Sequence, residues 1–137
     1  MIEYAYQKAT YEQIEDAVSW CKDNLQMSDW EIDVCVDKEP PKELYDSESF
    51  DGRVAGRGAW AVYEQKGIIW VPLERCKSEN ENPYEVAIHE VLHGRFGYFR
   101  MFVEMTDDME EHLVRLWSPV AYKAFCKDKK KKIARER

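Results

Sequence analysis

His89-Glu90-Val91-Leu92-His93 is the stretch of the chain with the most definite chemistry. Two imidazoles four residues apart share one face of a helix, so both rings can reach a single ion. Neutral imidazole nitrogen is a good zinc donor, and a site with three protein ligands leaves a fourth position for water. Zinc lowers the pKa of such a water to near neutrality, and Glu90, beside the ligand face, is placed to take the proton. The chain has 3 histidines; a chance HExxH then has a probability of roughly 1% or below. The motif is therefore read as a zinc site and not as two hydrogen-bonded helix histidines.

A third ligand must come from elsewhere. The long form of the motif wants a glycine and then a histidine shortly after His93. Phe96 and Phe99 stand at those two places, which excludes it. Further on, Glu110, Glu111 and His112 follow one another on an expected helix, pointing in directions about 100° apart. Met109, Leu113, Leu116, Trp117 and Val120 mark an apolar face there. Glu110 falls inside the arc shared with Leu113, Val114 and Trp117, Glu111 points nearly opposite, and His112 lies on the flank. The face argument selects Glu110, with Glu111 and His112 as alternatives. Glu110 also stands three residues after Asp107, where a helix-capping carboxylate would stand.

The elements that must position these residues can be read from periodicity. Ile14, Ala17, Val18, Cys21 and Leu25 recur at helical spacing over about Tyr11 to Leu25, with Thr10 as N-cap and Gln13 as its capping-box partner. Trp30 to Val36 alternates as a half-buried strand does. Asp37 to Asp51 is polar, contains Pro40-Pro41, and reads as a loop. Val54 to Glu64 and Gly67 to Leu73 read as a hairpin turning at Gln65-Lys66-Gly67, with Gly52, Gly56 and Gly58 suggesting a bulge or an edge. Asn82 and Pro83 form a helix start in front of the HExxH segment. Gly94 and Gly97 mark where that helix weakens. A last helical region begins near Asp107 or Asp108, is interrupted at Pro119 with Ser118 as a second cap, and ends near Lys127. The expected fold is α+β: an N-terminal helix, a three-stranded antiparallel or mixed sheet, the HExxH helix and a following ligand-bearing helix. One domain over 1–126 and a basic tail over 127–137 complete the layout.

HExxH on one helix with a glutamate on the next resembles the gluzincin arrangement of thermolysin-type peptidases, in reduced form. The chain is similar to the minimal gluzincin-like zinc peptidase domains often found in phage and prophage proteins. The resemblance runs from about Trp30 to Trp117, and only His89, Glu90 and His93 meet a strict motif. It implies a zinc-dependent hydrolase cleaving peptide bonds, and an edge strand beside the cleft that binds an extended peptide. Val54 to Tyr63 is the expected edge. Tyr98, Arg95 and Tyr122 are candidates for an oxyanion stabiliser. Trp60, Tyr63, Trp70 and Trp117 are expected in the core. The rival reading is a zinc-stabilised interaction module without catalysis; a purely structural site fills all four positions and has no use for Glu90.

Composition bounds the rest. With 137 residues, 45% hydrophobic and 34% charged, the chain suits one globular domain and not a disordered one. No apolar run approaches a membrane span. Met1-Ile2-Glu3-Tyr4 has no basic segment leading into an apolar one, so a cytoplasmic location is expected. Cys21, Cys35, Cys76 and Cys126 are scattered and read as reduced, mostly buried thiols. The net charge of −7 is uneven: Lys127 to Arg137 holds seven basic and two acidic residues, which leaves −12 on the body. Such a body argues against a groove that tracks nucleic-acid phosphates, and the tail reads as a solvated terminus.

Overall fold

The computed structural model describes residues 8–45 and 53–136, apart from the side chains of Ala55 and of residues 131–136. Met1 to Tyr4, Gly52 and the second half of the expected Asp37–Asp51 loop lie outside the described residues. The elements run α1 (Tyr11–Asn24), β1 (Glu31–Cys35), β2 (Arg53–Ala55), β3 (Gly58–Ala61), β4 (Lys66–Trp70), α2 (Leu73–Ser78), α3 (Pro83–Phe99) and α4 (Asp107–Glu136). Short 3₁₀ turns occupy Lys42–Leu44 and Val62–Glu64. The strands form one mixed sheet in the order β1-β4-β3-β2. β1 and β4 are parallel; the other two pairings are antiparallel. The α+β class expected from sequence holds, with four strands in place of three. No helix among the described residues is long and apolar enough to cross a membrane.

The helix starts form as their sequences dictate. The Thr10 hydroxyl accepts the Gln13 backbone N–H at 3.3 Å, and the Gln13 side chain accepts the Thr10 N–H at 3.1 Å. Asn82 Oδ1 accepts the Tyr84 and Glu85 N–H groups at 3.0 and 3.4 Å, with Pro83 in the first turn, where its missing N–H costs nothing. At the start of α4, Thr106 Oγ1 accepts the Met109 N–H at 3.1 Å. Thr106 is thus the cap, and Glu110 is free of that task.

Three expectations change. The long strand Val54–Glu64 is two strands, because Gly56, at φ 56°, and Arg57 turn the chain so that Ala55 pairs with Gly58. Of these two only β2 lies at a sheet edge, and β3 is interior, so the edge expected over Val54 to Tyr63 is reduced to Arg53–Ala55. The turn before β4 is the 3₁₀ turn with Gln65 in the left-handed region, and Lys66 and Gly67 already belong to β4. Finally, α4 runs through Pro119 without a break. Proline there removes only the N–H that would bond the Arg115 carbonyl, on an exposed side of the helix, and the Ser118 hydroxyl bonds the Val114 carbonyl at 2.6 Å in place of capping a new segment.

The α4 face also differs from the expected one. Its buried residues include Glu110, Val114, Ser118 and Phe125, while Met109, Leu116 and Val120 are exposed and Trp117 is 48% exposed. Packing against α3 selects the first set, which keeps Glu110 and Val114 of the expected face inward and leaves Met109, Leu116 and Val120 outside. Tyr63 is 83% exposed, Trp70 is half-buried, and of the four aromatics expected in the core only Trp60 is fully inside. The first turn of the expected tail docks on α1: Asp128 accepts the Trp20 indole N–H at 2.8 Å, and Lys129 pairs with Asp16.

Trp60 fixes how closely α3 approaches the sheet. A Cβ on Gly67 or on Gly94 would come within 2.2 or 2.5 Å of the indole ring, so these glycines are the walls of the slot that holds it. Gly94 therefore makes room for Trp60 and does not end the helix. Gly94→Ala should thus lower stability although alanine is the better helix former. The helix gain is about 1 kcal/mol, against an overpacking cost of about 1–3 kcal/mol with no flexible atom to yield. Urea unfolding of the metal-free variant should show a net loss; a gain in stability would contradict the slot.

Candidate metal centre

The HExxH segment sits mid-way along α3, and α4 crosses it with Glu110 and Glu111. The Glu111 carboxylate lies 3.5 Å from His89 Nε2 through Oε1 and 2.8 Å from His93 Nε2 through Oε2. The three donor atoms lie within 4.8 Å of one another, and among the described residues this is the group placed to hold an ion. Zinc bonds of about 2.0–2.1 Å place tetrahedral ligands about 3.3 Å apart. The spacing therefore fits a small cation. Glu110, selected from sequence as third ligand, stands elsewhere. Its side chain is 2% exposed and lies on the opposite side of the His93 ring, with Oε2 2.7 Å from Nδ1. The exposed His112 is not part of the group.

Each imidazole has its Nδ1 engaged and its Nε2 turned to Glu111. Glu110 accepts from His93 Nδ1. The Ser118 hydroxyl spends its hydrogen on the Val114 carbonyl, so toward His89 Nδ1, at 3.4 Å, it can only accept. Both rings thus carry a hydrogen on Nδ1, and Nε2 is the nitrogen each turns toward Glu111, where a cation would take the place of any Nε2 hydrogen.

Glu110 is held in turn by Arg53 of β2 through both carboxylate oxygens, and by Arg100 at the end of α3, whose Nη1 is 3.4 Å away. Burial pushes the Glu110 carboxyl up, but the bonds from His93 and Arg53 outweigh it and bring it down to about 2. Burial lowers the His93 imidazole, yet the Glu110 bond and the charges of Glu90, Glu110 and Glu111 win and raise it. That shift favours the charged ring beside the carboxylates of Glu90, Glu110 and Glu111. His89 moves down, through burial and then the His93 charge. Glu111 is lowered: burial opposes, while Arg115 and the two histidines prevail.

Glu90 is buried beside this group in the β2–β3 turn. A Cβ on Gly56 would lie 3.6 Å from its Oε1 and one on Gly58 3.2 Å from its Oε2, so the turn glycines leave the space the carboxylate fills. The Arg57 backbone N–H donates to it, but burial dominates and raises its pKa to about 7. A carboxyl at that value is a base matched to neutral pH.

Two clefts, of about 830 and 750 Å³, meet at His89 and Glu90. The larger is bordered by Val54, Tyr63 and Met101 and floored by Arg53 and Gly97; the smaller lies between Arg57, Glu85 and Pro119. The expected oxyanion residues line neither. Arg95 donates to the Leu25 carbonyl at 2.9 Å, Tyr98 packs edge-on to Trp30, and Tyr122 is half-buried behind Asn82, which it bonds. Sequence reasoning passed over Arg53, Arg57 and Arg100. Arg53 opens β2 one residue before the expected strand, so nothing local marked it; Arg57, inside that expected strand, was the available signal, since such a charge needs a partner.

Removing Arg53 leaves Glu110 buried with fewer partners. Near neutral pH, Arg53→Met should cost the metal-free protein about 3 kcal/mol or more, whereas Glu111→Gln, at a partly exposed site, should cost about 1 kcal/mol or less. The Glu110 carboxyl is lowered from 4.5 to about 2 on folding. Its contribution is therefore complete above 4.5 and is lost as pH falls toward about 2. Urea unfolding of wild type against Glu110→Gln across that window should show the wild type losing stability more steeply; parallel curves would contradict the pairing. No known protein family, curated protein or solved structure matches the chain.

Proposed function

We propose that the chain is a zinc-dependent peptidase in which His89, His93 and Glu111 hold the metal and Glu90 is the general base. The observation that carries this reading is the meeting of two Nε2 atoms and one carboxylate where two clefts join, with the buried Glu90 alongside. Glu111 takes the place first assigned to Glu110, and Glu110 becomes the group that orients His93. The carboxylate still comes from the helix after HExxH, as the gluzincin arrangement requires.

Zinc bound there would polarise a peptide carbonyl and acidify a water. Glu90, buried beside the ligands, takes the proton of the attacking water and passes it to the departing amine. Glu110 keeps the Nδ1 hydrogen of His93 in place throughout and compensates the charge on the ring. The substrate is an extended peptide that adds to the free edge of β2, across the mouth of the larger cleft. The join of two clefts also separates this reading from a zinc-held interaction module, because a metal used only to pin two helices has no need of open space or of a base.

Glu90→Gln keeps the size of the side chain but cannot accept the proton. It should retain stoichiometric zinc and lose peptide hydrolysis by a factor of about 10² or more, measured on an unbiased peptide library by mass spectrometry. Equal cleavage by variant and wild type would contradict the role of Glu90. Zinc-loaded wild type that cleaves nothing, with four protein ligands on its metal, would establish the interaction module.

A further inference from the structure

Among the described residues, two buried side-chain polar atoms have no hydrogen-bond partner: Trp60 Nε1 and Glu90 Oε2. They are neighbours. Both converge on Gly58, where a Cβ would stand 2.8 Å from the indole nitrogen and 3.2 Å from the carboxylate oxygen. One is a donor only and the other, when ionised, an acceptor only. Leaving both unsatisfied destabilises the fold, so a pair of opposite kind facing one glycine points to a shared bond.

Trp60 is also unable to turn away. Its ring is fully buried in the slot between Gly67 of β4 and Gly94 of α3. Packing therefore holds the indole nitrogen beside Gly58, and the absence of a side chain there keeps the space between it and Oε2 clear. A phenylalanine would fill most of this slot and supply no donor.

We propose that Trp60 is the positioning residue for Glu90: its indole N–H holds Oε2, directly or through one water, and fixes the rotation of the carboxylate beside the metal ligands. The role of Glu90 rests on the peptidase reading, whereas the bond itself does not. Gly58 of β3 stands against Oε2, and the β2–β3 turn supplies the Arg57 N–H to the carboxylate. The sheet thus sets the angle of the base on the helix.

The test reads the bond without requiring catalysis. In ¹⁵N-labelled full-length protein, metal-free and zinc-loaded, the Trp60 indole N–H is assigned by its loss in Trp60→Phe. It should resonate downfield and exchange slowly in wild type. Glu90→Ala should shift it upfield and speed its exchange, while Glu90→Gln, which keeps an acceptor oxygen, should restore much of the wild-type signal. A signal that Glu90→Ala leaves in place, or that Glu90→Gln and Glu90→Ala change alike, would overturn the proposal. Where zinc-loaded wild type cleaves a peptide, replacing Trp60 by its benzothienyl isostere, which keeps the shape and removes the N–H, should lower kcat about 10- to 100-fold with KM unchanged. Unchanged kcat in that folded isostere would overturn it as well. Absence of cleavage would count against the peptidase reading alone, because the indole signal is read independently of it.

Discussion

One buried carboxylate organises this molecule. Glu110 is 2% exposed, and an ionised carboxylate inside a protein must be paired or it destabilises the fold. Its partners come from three directions: Arg53 from the edge strand β2, Arg100 from the end of α3, and His93 from the middle of α3. Satisfying them sets the angle between α3 and α4, and that angle brings the next residue, Glu111, to the two Nε2 atoms. The centre proposed to bind metal is thus a consequence of a charge network that is itself structural. The edge strand β2 is tied to His93 through two side chains, Arg53 and Glu110.

A second constraint acts from the sheet. Trp60 fits between β4 and α3 only because positions 67 and 94 carry no side chain. The close approach that results places the β2–β3 turn against Glu90, where Gly56, Gly58 and the Arg57 N–H surround the carboxylate. Burial there raises the Glu90 pKa, whereas the pairs around Glu110 lower its pKa. Two glutamates on neighbouring helices are driven apart in acidity by environment alone, as acid–base sites generally require. The acidic body adds a long-range attraction for cations.

Much of this was legible in the chain. The caps at Thr10 and Asn82-Pro83 are local chemistry and appear as written. The i, i+4 histidines needed only a helix to share a face. The choice between Glu110 and Glu111 was not legible. The face argument turned Glu110 inward, and it is buried, but its carboxylate meets Arg53 and His93 Nδ1, while Glu111, at the edge of that face, reaches the two Nε2 atoms. The strand count failed for a related reason. Gly56 and Gly58 were visible as irregularities, but whether two glycines make a bulge or a two-residue turn depends on pairing with a distant strand. Pro119 and Gly94 look like breakers in isolation; the first lies on an exposed side and the second makes room for a ring thirty-four residues away.

Diffraction at the zinc absorption edge from crystals of the zinc-loaded protein tests the central assignment most directly. The account expects one anomalous peak about 2.0–2.2 Å from His89 Nε2, His93 Nε2 and a Glu111 oxygen, with Glu110 still on His93 Nδ1. A peak ligated by Glu110 in place of Glu111, or no peak between the two histidines, would contradict it.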